Sequence, residues 1–176
     1  MQRWPDVPAA FGWLRLDRRG RWYLIDRNAP GFDPERDGRG SPITSPAIIE
    51  FISRNWLGDE HGRWYWQNGP QRAYALLDLA PLILRVLAGA GQTTLVAHTG
   101  YPVGRIRQAI IFNERDLFLD TDLGPGVIHD LDLASLELSE STLRVAGQTF
   151  TLHYSDADPG DSLGFERAPA AEPPRD

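Results

Sequence analysis

Gly160-Asp161-Ser162-Leu163-Gly164 matches the G-x-S-x-G spelling of a nucleophile elbow, the turn that presents a catalytic serine in many hydrolases. That chemistry needs a buried strand before the serine and a helix after it, so that a strained turn holds the hydroxyl over an oxyanion hole. Here Asp158-Pro159 precedes the motif and a Pro- and Ala-rich end follows it. The context therefore argues against a catalytic Ser162, and a hydrolase using Ser162, or His98 or His129 with a nearby carboxylate, stands only as the alternative reading.

Three other stretches carry reactive or ligand-gripping side chains. Asp116, Asp120 and Asp122 fall on one face of an expected strand, with His129-Asp130 just beyond Gly124-Pro125-Gly126. Same-face neighbours on a strand lie about 7 Å apart, too far for two of them to converge on one cation without a bend. The solvent face of a half-buried strand is the better reading, and no metal site is assigned. The loop from His98 through Thr99, Gly100 and Gly104 to Arg105 and Arg107 offers backbone donors, a hydroxyl and two guanidinium groups, which together suit a phosphate or carboxylate. A hairpin around Asn68-Gly69 gathers Gln67, Asn68, Gln71 and Arg72 beside Tyr65, Trp64 and Trp66, a set suited to a planar, hydrogen-bonding ligand. The two tryptophans read better as core. The candidate ligand-binding set is Gln67, Asn68, Gln71, Arg72, His98, Thr99, Arg105 and Arg107.

The elements that must position these groups are mostly strands. Gly-Arg-Trp-Tyr occurs at residues 20–23 and again at 62–65, each time after a charged turn and at the start of a strand. Residues 14–16 and 21–25 form the first hairpin, and residues 27–42, rich in Pro, Gly and charge, a long surface loop. Thr44 or Ser45 caps a helix with Pro46 in its first turn, apolar residues recur from Ile48 to Trp56, and Gly58 stops it. Strands are expected at 64–67, 72–77, 82–86, 93–97, 108–112, 116–121, 141–146 and 148–154, with a short helix over 131–138. No alternation of strand and helix appears, which argues against a dinucleotide-binding crossover fold. The fold class is α+β and strand-rich, with antiparallel sheets and one main helix. The division is an N-terminal α+β part (1–80), a C-terminal β-rich part (81–155) and a disordered tail (156–176).

Composition removes whole function classes. All 18 basic residues of the 176 are arginine, which excludes Walker-type phosphate loops, pyridoxal Schiff bases and the kinase lysine. No cysteine is present, so thiol nucleophiles, thiolate zinc sites and iron–sulfur clusters are out. Residues 114–176 carry 4 arginines against 14 acids, and no basic stripe exists elsewhere, which argues against nucleic acid as a partner. The longest apolar run, 79–87, is broken by Arg85 and too short to span a bilayer, and the first residues lack the order of a signal peptide. A cytoplasmic protein without a membrane partner or cofactor is expected.

The order Gly20-x-Trp22, Gly40-x-Pro42-Ile43 leading into a helix, Asp59-x-x-Gly62-x-x-Tyr65 and Asp78-x-Ala80-Pro81 resembles a bacterial domain-of-unknown-function family over residues 12–130. That resemblance implies a two-part fold with an internal duplication, a C-terminal part similar to pleckstrin-homology barrels, and a small-molecule or nucleotide-like site between the parts. It implies no activity. The chain departs from the pattern in its longer loop at 27–42, in Gln71 where the family tends to have Glu, and in an extra residue within 78–81. The letters around Ser162 also spell the signature of GDSL hydrolases. In that family the motif lies near the start and is completed by a later Asp-x-x-His, and here no His follows Ser162. The expectation is a binding or regulatory module with a small-molecule site, the balance being against an enzyme, and with a protein partner unassigned. A protein-interaction or structural domain without a ligand is the further alternative.

Overall fold

A computed structural model describes residues 7–89 and 91–171. The chain opens with β1 (Ala10–Leu16), β2 (Trp22–Leu24), a one-turn helix α1 (Pro34–Asp37) and β3 (Ser41–Pro42). Helix α2 (Pro46–Arg54) leads to β4 (Trp56–Gly58), β5 (Trp64–Asn68) and β6 (Gln71–Leu77). These six strands form one sheet in the order β3-β2-β1-β6-β5-β4. It is two three-stranded meanders laid side by side in the same sense, β1-β2-β3 and β4-β5-β6, joined by a parallel β1–β6 pair. Each copy of Gly-Arg-Trp-Tyr opens the second strand of its meander. The internal duplication is therefore one of supersecondary structure.

The helix ends earlier than the position of Gly58 suggests. Asn55 caps it through a backbone N–H to the Ile52 carbonyl, which frees Trp56–Gly58 to serve as the edge strand β4. Ser45 precedes the helix without a side-chain cap bond, leaving Pro46 to set the first turn.

The second sheet is built from β7 (Leu82–Gly89), β8 (Gln92–Ala97), β9 (Ile106–Phe112), β10 (Asp116–Thr121) and β11 (Gly124–Ile128). A 3-10 helix (Asp130–Ser135) then leads to β12 (Glu137–Leu138), β13 (Thr142–Val145) and β14 (Gln148–Ser155). Strand order is β12-β13-β14-β9-β10-β11-β7-β8, curled into a half-barrel. Its two ends approach where the Ala146 N–H donates to Thr93 Oγ1 at 3.2 Å. Both sheets are mixed, where antiparallel pairing alone is expected from the local turns. The parallel pairs β1–β6, β11–β7 and β14–β9 each join strands separated by other strands in the chain, so no turn signal announces them. Strand β11 escapes the sequence reading because Gly-Pro-Gly occupies its first half.

One apolar cluster runs through both sheets, drawing Leu14, Trp22 and Trp56 from the first and Leu82, Phe112 and Phe118 from the second. Trp56 sits edge-on to Trp22 at 4.8 Å and tilted against Trp64 at 5.6 Å, and its Nε1 donates to the Pro81 carbonyl at 2.9 Å. Burying side chains of this size stabilises the seam by roughly 2–3 kcal/mol each. Trp64 is core, as its hairpin position suggests. Trp66 instead meets Phe51 of α2 edge-on at 5.8 Å.

The tail expected from residue 156 is not disordered over 156–171. Asp158 caps α3 (Pro159–Leu163) by accepting from the Gly160 N–H at 2.7 Å, and Phe165 is buried in the common core. The Glu166 N–H donates to the Gly62 carbonyl and the Leu77 N–H to the Arg167 carbonyl, which fastens this segment across the first sheet. Composition misleads here because a single aromatic anchor and two main-chain bonds outweigh a run of weak formers. Residues 172–176 lie outside the described residues.

Candidate functional site

The two charged turns that precede the Gly-Arg-Trp-Tyr strands share one hydrogen-bonding device. Asp17 Oδ1 accepts from the N–H groups of Arg19 and Arg21 at 2.8 and 2.9 Å, and Oδ2 accepts from Arg21 Nε at 2.7 Å and the Tyr23 hydroxyl at 3.2 Å. Asp59 Oδ1 accepts from the N–H groups of His61 and Arg63 at 3.0 and 2.9 Å, and Oδ2 from Arg63 Nε at 2.8 Å and the Tyr74 hydroxyl at 3.2 Å. Burial pushes each carboxyl up. The backbone donors and the arginine outweigh it and hold both below the ordinary carboxylate range. With every lone pair engaged, neither aspartate is a general base or a metal ligand. They are turn locks, and the signal for them is an aspartate three residues before the glycine in both copies.

The second turn stands between two grooves of about 370 and 300 Å³. The larger lies at the seam between the sheets, where Trp64 faces Arg107, Asp122 and Gly124. The smaller is lined by His61, Arg63, Tyr65 and Arg72, and both share Asp59 and Glu60. Arg72 lies over the Tyr65 ring at 4.6 Å, and hydrogen bonding to Tyr74 raises its pKa further above its ordinary value. Among the described residues it has no carboxylate partner. Arg107 is more committed, donating to Asp120 and to the Thr121 carbonyl at 2.9 and 2.6 Å.

Of the eight residues singled out from sequence, Arg72 and Arg107 thus reach the grooves, and the others do not line them. Gln67 turns inward on its own hairpin, donating to the carbonyls of Gly69 and Gln71, while Asn68 and Gln71 pair through their backbones. Arg105 is exposed, and its N–H, with that of Gly104, donates to Asp122 Oδ1. Thr99 belongs to the β8 turn, outside both grooves. His98 is a seam residue. Its Nδ1 accepts from the Ile83 N–H at 3.2 Å, its ring tilts against Trp22 at 5.5 Å, and its enclosed Nε2 has no partner among the described residues. Burial pushes its pKa down to about 3 against the opposing pull of Asp17, so the ring is neutral.

The other reactive candidates are spoken for. Asp116 pairs with Arg18 at 3.0 Å and Asp120 with Arg107, and no cluster able to hold a metal ion occurs among the described residues. Ser162 lies on the exposed side of α3, and Gly160 and Gly164 are the start and left-handed cap of that short helix, which accounts for the elbow spelling. His129 is buried, with Nδ1 accepting from the Leu131 N–H at the start of the 3-10 helix. No helix among the described residues is long and apolar enough to cross a membrane.

Two crystal structures match the chain. A DUF1285 family protein from Silicibacter pomeroyi DSS-3 superposes with a TM-score of 0.52 at 17% identity, covering 85% of this chain and 83% of that one. A DUF1285 family protein from Shewanella baltica OS155 gives 0.49 at 8% identity, covering 70% and 88%. The first likeness establishes a common fold and nothing further. No curated protein matches the chain. A family model, DUF2944, described as "Protein of unknown function (DUF2946)", matches residues 1–170. With nearly its whole length covered by that one model, the chain belongs to this domain-of-unknown-function family.

Proposed function

We propose that the chain is a cytoplasmic binding or regulatory module for small anionic molecules, read at the grooves beside the Asp59–Gly62 turn. The observation that carries this reading is Arg72, laid over Tyr65 at a groove wall with no carboxylate partner among the described residues. A guanidinium held over a ring has little freedom still to lose, so its remaining donors suit the oxygens of a carboxylate or phosphate. Arg107 supplies positive charge across the shared wall, tempered by Asp120. Nucleic acid is not part of the proposal, because the arginines stand singly beside acids rather than in a stripe. A ligand gripping both sides of the turn would tie the two sheets together, which is how a binding event would be passed on.

A thermal-shift series of nucleotides and small organic anions tests this, since a ligand selective for the native state raises its melting temperature. The expected result is a shift in the wild type that Arg72→Ala abolishes and Arg105→Ala leaves intact. Absence of a shift with every anion, or a shift that survives Arg72→Ala, would overturn the reading in favour of a protein-interaction role.

A further inference from the structure

A largely apolar cavity lies away from these grooves, on the first sheet. It measures about 510 Å³, within the range of sites for small organic ligands. Phe11, Ile25, Phe32 and Leu76 furnish apolar walls, and Pro169 of the C-terminal segment closes one side. Three charged residues share the lining, Arg27, Arg39 and Glu35.

The floor is shaped where β1 breaks its pairing with β6 between Phe11 and Leu14. Gly12 sits there with φ +72°, and a β-carbon on it would lie 2.7 Å from Arg27 Nη1. A bulge with a bare glycine lets the arginine lie across the strand, where Nη1 donates to the Phe11 carbonyl at 3.1 Å. That is the sole acceptor Arg27 has among the described residues, so most of its five donors remain available. The Arg39 carbonyl is held by Arg15 at 2.9 Å, which fixes its backbone, while its guanidinium has no carboxylate partner among the described residues. Phe11 is itself immobilised, stacked on Tyr74 at 4.8 Å with an interplanar angle of 6°.

From this geometry we infer a second ligand site, selective for a small monocarboxylate with an aromatic or branched aliphatic body. The body occupies the apolar walls and the carboxylate meets Arg27 and Arg39, whose combined charge exceeds that of Glu35. The site is independent of Arg72 and Arg107, and its ligand differs in needing an apolar body.

Titration of the full chain with 4-phenylbutyrate, followed by calorimetry and backbone NMR, provides the test, with the neutral 4-phenylbutyramide as control. Saturable binding of the acid is expected, with the amide about tenfold weaker or worse. The amide resonances of Gly12, Gly38 and Ala170 should move. Arg27→Gln or Arg39→Gln should each weaken the acid about tenfold without changing the amide, and Glu35→Gln should tighten it. Arg72→Ala should leave it unchanged, so that failure here is separable from failure at the seam. Equal binding of acid and amide, indifference to both arginine substitutions in variants that remain folded, or no saturable binding at millimolar ligand would overturn the proposal.

Discussion

The two Asp-x-x-Gly-Arg-Trp-Tyr turns have the same letters and the same local bonds, yet different neighbours. In the first copy the motif tyrosine closes on its own aspartate: Tyr23 reaches Asp17, and Arg15, fixed by Asp78 through bonds of 2.6 and 2.5 Å, covers its ring. In the second copy Tyr74 of the adjacent strand takes that place, while the motif's Tyr65 is buried under Arg72. Gly20 abuts the side chain of His98, and Gly62 abuts the backbone of Gly164 and Phe165. One copy is a finished structural corner. The other keeps an arginine unspent beside a groove, and this difference locates the proposed ligand site.

The largest expected effect comes from filling the glycines. Both have positive φ, +79° at Gly20 and +76° at Gly62, so any side chain is strained there. At Gly62 an added β-carbon would run into the Gly164 carbonyl, a closer approach than the 2.8 Å to His98 Cβ at Gly20, and neither atom can move without its backbone. Gly62→Ala should cost about 3–5 kcal/mol in urea unfolding and Gly20→Ala about 1–3. Equal costs would remove the distinction between the corners.

Acidification separates the seam histidine from the turn aspartates. A histidine whose folded pKa is lowered contributes stability that is complete above its unfolded value of 6.5 and is lost as pH falls from there toward about 3. The loss should run at about 1.4 kcal/mol per pH unit. Asp17 and Asp59, with folded pKa values held down, contribute stability that begins to go only as pH falls below 3.8. His98→Gln should flatten the upper limb of stability against pH and leave the lower limb in place.

Smaller effects grade the two locks. The side chain of Arg63 is 16% exposed and that of Arg21 64%, so water screens the second ion pair less. Asp59→Ala should therefore destabilise by about 2–3 kcal/mol and Asp17→Ala by somewhat less, with the asparagine variants recovering part of each loss by denaturant titration. Below these, Arg15→Ala should cost about 1–2 kcal/mol, because it leaves Asp78 without its partner. Smallest of all, Arg72→Ala should cost about 0.5–1 kcal/mol while abolishing anion binding, the mark of a side chain held for a ligand.

Where local patterns were strong, the strands followed from sequence: the hairpins at the two Gly-Arg-Trp-Tyr copies, β7 with β8, and β9 with β10. Elements stabilised by distant partners were invisible. Strand β11 begins with Gly-Pro-Gly, β4 is too short to show alternation, and α3 depends on Phe165 finding the core. The site divides in the same way. Arg72 and Arg107 line grooves, and both stand out in sequence as guanidinium groups beside an aromatic strand or a glycine-rich loop. Gln67 is near in sequence, but its hairpin turn takes its amide for its own hydrogen bonds, and Thr99 sits in the turn after β8, outside both grooves.

By itself the sequence determined the chemistry this protein lacks, through the absence of lysine and cysteine, and the repeated aspartate–glycine turn, because an Asx-type lock is satisfied within a few residues. Apart from arginines that pair within a few residues, such as Arg21 and Arg63, tertiary structure decided which found carboxylates and which were left facing a cavity. Arg18 and Arg19 meet Asp116 and Asp130, 98 and 111 residues away, only when the two sheets close on a common core, and no local pattern encodes that meeting.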